Sequence, residues 1–160
     1  MMNKPTNKLK KENMTTRSIR NLYPKNVWGY FHELTRIPRP TGHMEEVTRY
    51  VMDFGKRLKL EVEQDKAGNV LIKKPATKGY EGAKTVILQS HLDMVPQKNS
   101  DVEHDFTRDP IEAYVDGEWV KARSTTLGAD NGIGCAMMMA VLEDNTLQHP
   151  AIEALFTVDE

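Results

Sequence analysis

Apolar residues recur at helical spacing twice in the first third of the chain. Val27, Tyr30, Phe31 and Leu34 lie three and four apart and predict a helix over about 24–36, with Pro24 where a first turn tolerates proline. The stretch Ile37-Pro-Arg-Pro-Thr-Gly42 breaks it, because a residue before proline is pushed out of the helical region. Val47, Tyr50, Val51, Phe54 and Leu58 then form a second stripe and predict a helix over about 43–58. Further on the period changes to that of strands. Residues 60–63 and 69–73 flank Asp65-Lys-Ala-Gly68 and read as a hairpin, and Lys84-Thr-Val-Ile-Leu-Gln89 reads as a buried central strand. Tyr114-Val115 and Trp119-Val120 around Asp116-Gly117 predict a second hairpin. Ile133 to Leu142 reads as a helix, and Ala151–Val158 as a last buried strand.

Apolar strands interleaved with helices predict an α/β fold, a mixed sheet flanked by helices, in preference to a sandwich. Ligands of open α/β sheets bind beyond the carboxyl ends of the strands. The sequence stops at such a strand end, on Thr157-Val-Asp-Glu160, which predicts a truncated domain whose strand at 152–158 carries an exposed, unpaired edge.

Composition removes several alternatives. The 160 residues are 39% apolar and 28% charged, with no apolar run long enough to span a bilayer, so neither wholesale disorder nor a membrane span is expected. A net charge of −1 gives no general attraction to nucleic acid, and the single Cys135 excludes an internal disulfide and suits a reducing cytoplasm. The charge is uneven. Residues 1–20 hold six Lys or Arg against Glu12, a balance of +5, and the remaining 140 carry −6. With no apolar core for a secretory signal, 1–20 is expected to be a flexible basic arm, leaving 21–160 as the folded part.

Three polar clusters could carry chemistry. In Ser90-His91-Leu92-Asp93, side chains two apart on an extended segment share a side. His91 and Asp93 therefore fit either a metal ligand with the carboxylate that orients it, or a His–Asp hydrogen bond that closes a loop. In Thr125-Thr-Leu-Gly-Ala-Asp130-Asn-Gly-Ile-Gly134 the glycines match neither phosphate-binding fingerprint, and Asp130 would repel a phosphate. A carboxylate bound to a cation and a tight turn capped by Asp130 both remain open. The third cluster, Asp159-Glu160, reads equally as a solvated strand end. Cys135 and Met137 to Met139 read as core, Trp28 and Trp119 as packing residues, and His32, His43, His104 and His149 receive no role.

Taken in order, longer strings carry a family likeness. Leu88-Gln-Ser-His-Leu-Asp-Met-Val-Pro-Gln-Lys-Asn99, His104-Asp-Phe-Thr-Arg-Asp-Pro-Ile111, Asp116-Gly-Glu-Trp-Val-Lys-Ala122 and the 125–134 string resemble the bacterial Xaa-His (aminoacyl-histidine) dipeptidases of the di-zinc exopeptidase superfamily. The likeness runs from about Leu22 to Glu160. It implies the N-terminal part of a zinc-exopeptidase-like catalytic domain, with the lid domain absent. It further implies that His91 ligates zinc, Asp93 orients it, Asp130 bridges two zinc ions, and the Asp130–Asn131 peptide bond is cis. Glu160 would be the general base for a zinc-activated water that hydrolyses carnosine-like dipeptides. Cobalt or manganese would be possible substitutes for zinc.

The same likeness implies a second Glu after the catalytic one, then an Asp and a distant His as further ligands, and none has a counterpart here. Little activity is therefore expected of this chain by itself. Family members would be cytoplasmic homodimers, without nucleic-acid or membrane partners. Alternatives are a relative with another short-peptide or acyl-amino-acid substrate, or a non-catalytic metal-binding or interaction module.

Overall fold

Both helical stripes fold as the spacing predicts, into α1 (Lys25–Arg36) and α2 (Glu45–Arg57). Proline ends up as the N-cap of α1, just outside the first turn. In α2, Glu45 and Glu46 occupy the first turn and Lys56 and Arg57 the last, each charge facing the opposite end of the helix dipole. The buried faces meet, Tyr30 packing edge-to-face on Phe54 at 5.4 Å.

The structure, a computed structural model, describes residues 18–160. Most of the expected arm therefore lies outside the described residues. Its last residues belong to the folded body: Ile19 opens a short 3-10 turn, Ile19–Asn21, and is fully buried.

Four of the strands form a mixed sheet. The hairpin β1 (Glu61–Gln64) and β2 (Val70–Lys74) closes through Gly68, whose φ of 101° needs glycine, while Asp65 Oδ1 accepts the backbone N–H groups of Ala67, Gly68 and Asn69 at 2.9 Å each. Next come β3 (Val86–His91), the small separate hairpin of β4 (Ala113–Asp116) and β5 (Trp119–Ala122), helix α3 (Ala129–Glu143) and β6 (Ile152–Thr157). The sheet order is β1-β2-β6-β3, with β3 and β6 parallel and the other pairs antiparallel.

Two expectations about edges fail for one reason. The β3–α3–β6 crossover lays β6 between β2 and β3, so the 152–158 strand is paired on both sides and is not an exposed edge. Conversely β3, expected to be central, is an edge strand, with Val86 41% and Ile87 67% exposed.

Alternation along the strands shows where the core sits. Val70, Ile72, Ile152, Ala154 and Phe156 share one face and join the core formed with the three helices. Leu71 and Leu155, opposite each other in register, lie on the other face. All three helices thus cover a single face. Lys74 is buried at the end of β2, its Nζ donating to the carbonyls of Val141 and Asp144 at 3.1 and 2.6 Å and so closing the C-terminus of α3.

Smaller expectations divide. Cys135, Met138 and Met139 are core, whereas Met137 is 54% exposed on the outer face of α3. Trp28 packs edge-to-face on Phe31, but Trp119 is 70% exposed on the small hairpin, which is too thin to bury it. Among the described residues no helix is long and apolar enough to cross a membrane.

Candidate functional site

Strand β3 carries His91 to the carboxyl end of the sheet, beside the end of β6, where Leu92 N–H donates to Thr157 O at 2.7 Å. The kinked start of α3 brings Asp130 to the same place. Gly128 precedes that helix with φ 71°, Asp130 and Asn131 lie outside helical geometry, and regular helix begins after them. The Asp130–Asn131 peptide bond is cis, as the family likeness implies.

These two segments place a carboxylate on each nitrogen of one imidazole. His91 Nδ1 lies 3.0 Å from Asp93 Oδ1, and Nε2 lies 3.1 Å from Asp130 Oδ1, across 39 residues of sequence. Burial opposes protonation of the ring, yet hydrogen bonds to Asp130 and Asp93 outweigh it and raise its pKa above the usual value. The two carboxylates differ sharply. Asp93 is buried with a partner on each oxygen, the second accepting the Thr41 hydroxyl at 2.6 Å, whereas the Asp130 side chain is 86% exposed.

Glu160 is exposed and lines the same cleft, of about 290 Å³, with His91, Asp93, Met94, Leu127 and Asp130. So all four residues singled out in the sequence meet around one opening. A larger cavity of about 650 Å³ lies between α2 and the β1–β2 hairpin, but it offers charged and apolar walls without a histidine.

The donor chemistry fits a divalent cation of the zinc type. Two ligands of a tetrahedral ion at about 2.0 Å stand about 3.3 Å apart, close to the 3.1 Å between His91 Nε2 and Asp130 Oδ1. Asp93 on the far nitrogen is the partner that directs the Nε2 lone pair outward. The count, however, is short: among the described residues no group of three or more His, Cys, Asp or Glu side chains forms a ligand set.

Sequence reasoning missed the 37–42 turn, read only as a helix breaker. It runs alongside the site, Met94 N–H donating to Arg39 O at 3.0 Å and Thr41 N–H to Met94 O at 3.4 Å. The available signal was an arginine and a threonine at fixed places among prolines, polar residues that a mere breaker does not require.

No family model matches the chain. It is 52% identical over 142 residues to the cytosol non-specific dipeptidase of Escherichia coli K12, covering 89% of this chain and 29% of that protein. The structure of aminoacylhistidine dipeptidase from Vibrio alginolyticus superposes with a TM-score of 0.88 at 50% identity, covering 90% of this chain and 29% of the other. A Bacillus subtilis protein described as a dinuclear metal-binding peptidase of the M20 family superposes with a TM-score of 0.50 over 81% of this chain and 34% of its own; at 12% identity it shows the fold alone. The chain thus spans under a third of the length of the first two relatives, and its fold is that of part of the Vibrio alginolyticus structure. Over the residues it contains, the chain is similar to these two bacterial dipeptidases at about half of its positions.

Proposed function

We propose that this chain contributes part of the catalytic site of a metal-dependent dipeptidase that hydrolyses Xaa-His dipeptides such as carnosine. The observation that carries the reading is the His91 Nε2–Asp130 Oδ1 approach at 3.1 Å, with Asp93 on the other ring nitrogen. His91 and Asp130 would hold the cation, Zn²⁺ by donor type, with Co²⁺ or Mn²⁺ as substitutes. When bound, the cation supplies Lewis acidity to the peptide carbonyl. Asp93, itself held by Thr41, fixes the tautomer and plane of His91. Glu160 accepts the proton of the attacking water at its carboxylate and returns it to the leaving nitrogen. Its place on the rim of the cleft supports that role. Met94, Val95 and Leu127 supply an apolar wall that keeps water from one side of the substrate.

Two donors leave a cation weakly held, so little turnover is expected of the 160 residues alone. Both halves of the reading are tested together. The first measurement is Zn²⁺ binding to the chain by calorimetry, expected to be weak and to vanish in His91→Asn. The second uses a chimera in which this chain replaces the matching stretch of the Escherichia coli dipeptidase. It is expected to cleave carnosine, and Glu160→Gln in it to lose at least about 10²-fold in kcat. A chimera that folds, binds zinc and cleaves no dipeptide would reject the reading. The name of the Escherichia coli relative favours a second, broader reading, and comparable turnover on dipeptides without histidine would select it.

A further inference from the structure

Arg39 is the largest fully buried side chain described, at 2% exposure, and it forms no ion pair among the described residues. Its guanidinium donates instead to backbone carbonyls of two distant segments. Nη1 reaches Leu92 O at 2.7 Å and Asp93 O at 3.4 Å, and Nη2 reaches Gly128 O at 2.6 Å. Those carbonyls flank the site on both sides: Leu92 and Asp93 follow His91 directly, and Gly128 stands two residues before Asp130. Two glycines leave room for the fork, since a Cβ at Gly128 or at Gly132 would lie 2.6 Å from Nη2.

We propose that Arg39 is a positioning residue for the site, its planar fork bridging the Leu92–Asp93 and Gly128 carbonyls so that His91 and Asp130 are held at cation-binding distance. This deepens the metallopeptidase reading above and rests on it for the identity of the cation. The chemistry selects arginine. A guanidinium presents donors in one rigid plane and serves carbonyls on two sides, whereas a lysine ammonium at the end of a flexible stem satisfies one cluster at a time. Arg39 touches neither substrate nor cation in this arrangement. It acts through the backbone on either side of it, helped by the Met94 N–H to Arg39 O bond, which fixes the turn from its own main chain.

A purely structural role would predict the same loss of stability with an unaltered site, so the test needs a control of like kind. Lys74 provides it: a buried cation that also donates to two carbonyls, at the far end of α3. The 160-residue chain, Arg39→Lys and Lys74→Met are compared by thermal melting, Zn²⁺ calorimetry and ¹⁵N spectra of the His91 ring in metal-free protein. Both substitutions are expected to lower the melting temperature. Arg39→Lys alone is expected to weaken Zn²⁺ binding, by about tenfold or more, and to displace the His91 ring signals. Should Arg39→Lys fail to melt cooperatively, Gly128→Ala is the second variant, because it presses on the same guanidinium and leaves its charge in place. Unchanged Zn²⁺ affinity and ring signals in the folded variant, or equal losses in Lys74→Met, would overturn the proposal. If the parent chain binds no Zn²⁺, the metal reading fails, and the ring signals alone decide whether Arg39 positions His91.

Discussion

At the scale of single residues, the site is organised by what each oxygen and nitrogen has left to do. Asp93 has both oxygens engaged: His91 holds one and Thr41 the other. Removing the hydroxyl by Thr41→Val frees a buried carboxylate oxygen, with a stability cost of about 1–3 kcal/mol. Because Asp93 then orients His91 less firmly, Zn²⁺ affinity should fall by about tenfold in calorimetry. An affinity equal to that of the parent would show that Asp93 needs no help. Cys135 illustrates the opposite case, a potentially reactive group with no part to play. Burial pushes its thiol up to about 12, and its Sγ faces His91 O at 3.2 Å. The native protein should therefore resist iodoacetamide at pH 8 and react only in denaturant, as followed by mass spectrometry. Rapid native labelling would contradict the burial.

At the scale of elements, the junction between the 125–128 segment and α3 is closely packed around a glycine of positive φ. Gly128 combines a φ of 71° with a neighbour on the far side of its missing Cβ, Arg39 Nη2 at 2.6 Å and Met94 Sδ at 2.8 Å. Gly117, in the turn between β4 and β5, has a similar φ of 60° but open space around it. Alanine at 117 should cost only the backbone term of about 1 kcal/mol. Alanine at 128 adds overpacking and should cost about 2–4 kcal/mol in all. Denaturant melts of the two variants measure the difference, and equal values would mean that Arg39 and Met94 yield without cost. The turn chemistry was legible beforehand, since Gly68 and Gly117 sit where the hairpins were read. The distortion at Asp130–Asn131 came only from the family likeness, which implied the cis bond, because nothing in residue spacing alone distinguishes a helix start from a distorted one.

At the scale of the whole molecule, the sheet has helices on one face and an edge strand whose apolar side chains are open to solvent. Ile87 is 67% exposed on β3, which presents unpaired backbone groups along one side. Ile87→Lys should leave stability within about 0.5 kcal/mol and reduce self-association in sedimentation velocity runs at high concentration. A parent that stays monomeric there would remove the basis for this expectation. Reading the sequence placed the liability in the wrong strand. An apolar run says that a segment seeks burial, but whether it lies at the centre or the edge is fixed by pairing, and here the α3 crossover gave the central place to β6.

What the sequence determined unaided is the local order: two amphipathic helices, two hairpins, a helix after the glycine-rich string, and four polar residues set at strand ends or just before a helix. Periodicity and turn chemistry act over a few residues, so they can be read along the chain. Only the tertiary structure decided which strand is buried between which, that His91 meets Asp130 across 39 residues, and that Thr41 and Arg39 support them from a turn 50 or more residues away. Those contacts come from long-range pairing and from a buried guanidinium finding carbonyls on either side. Neither has any counterpart in the spacing of neighbours along the chain.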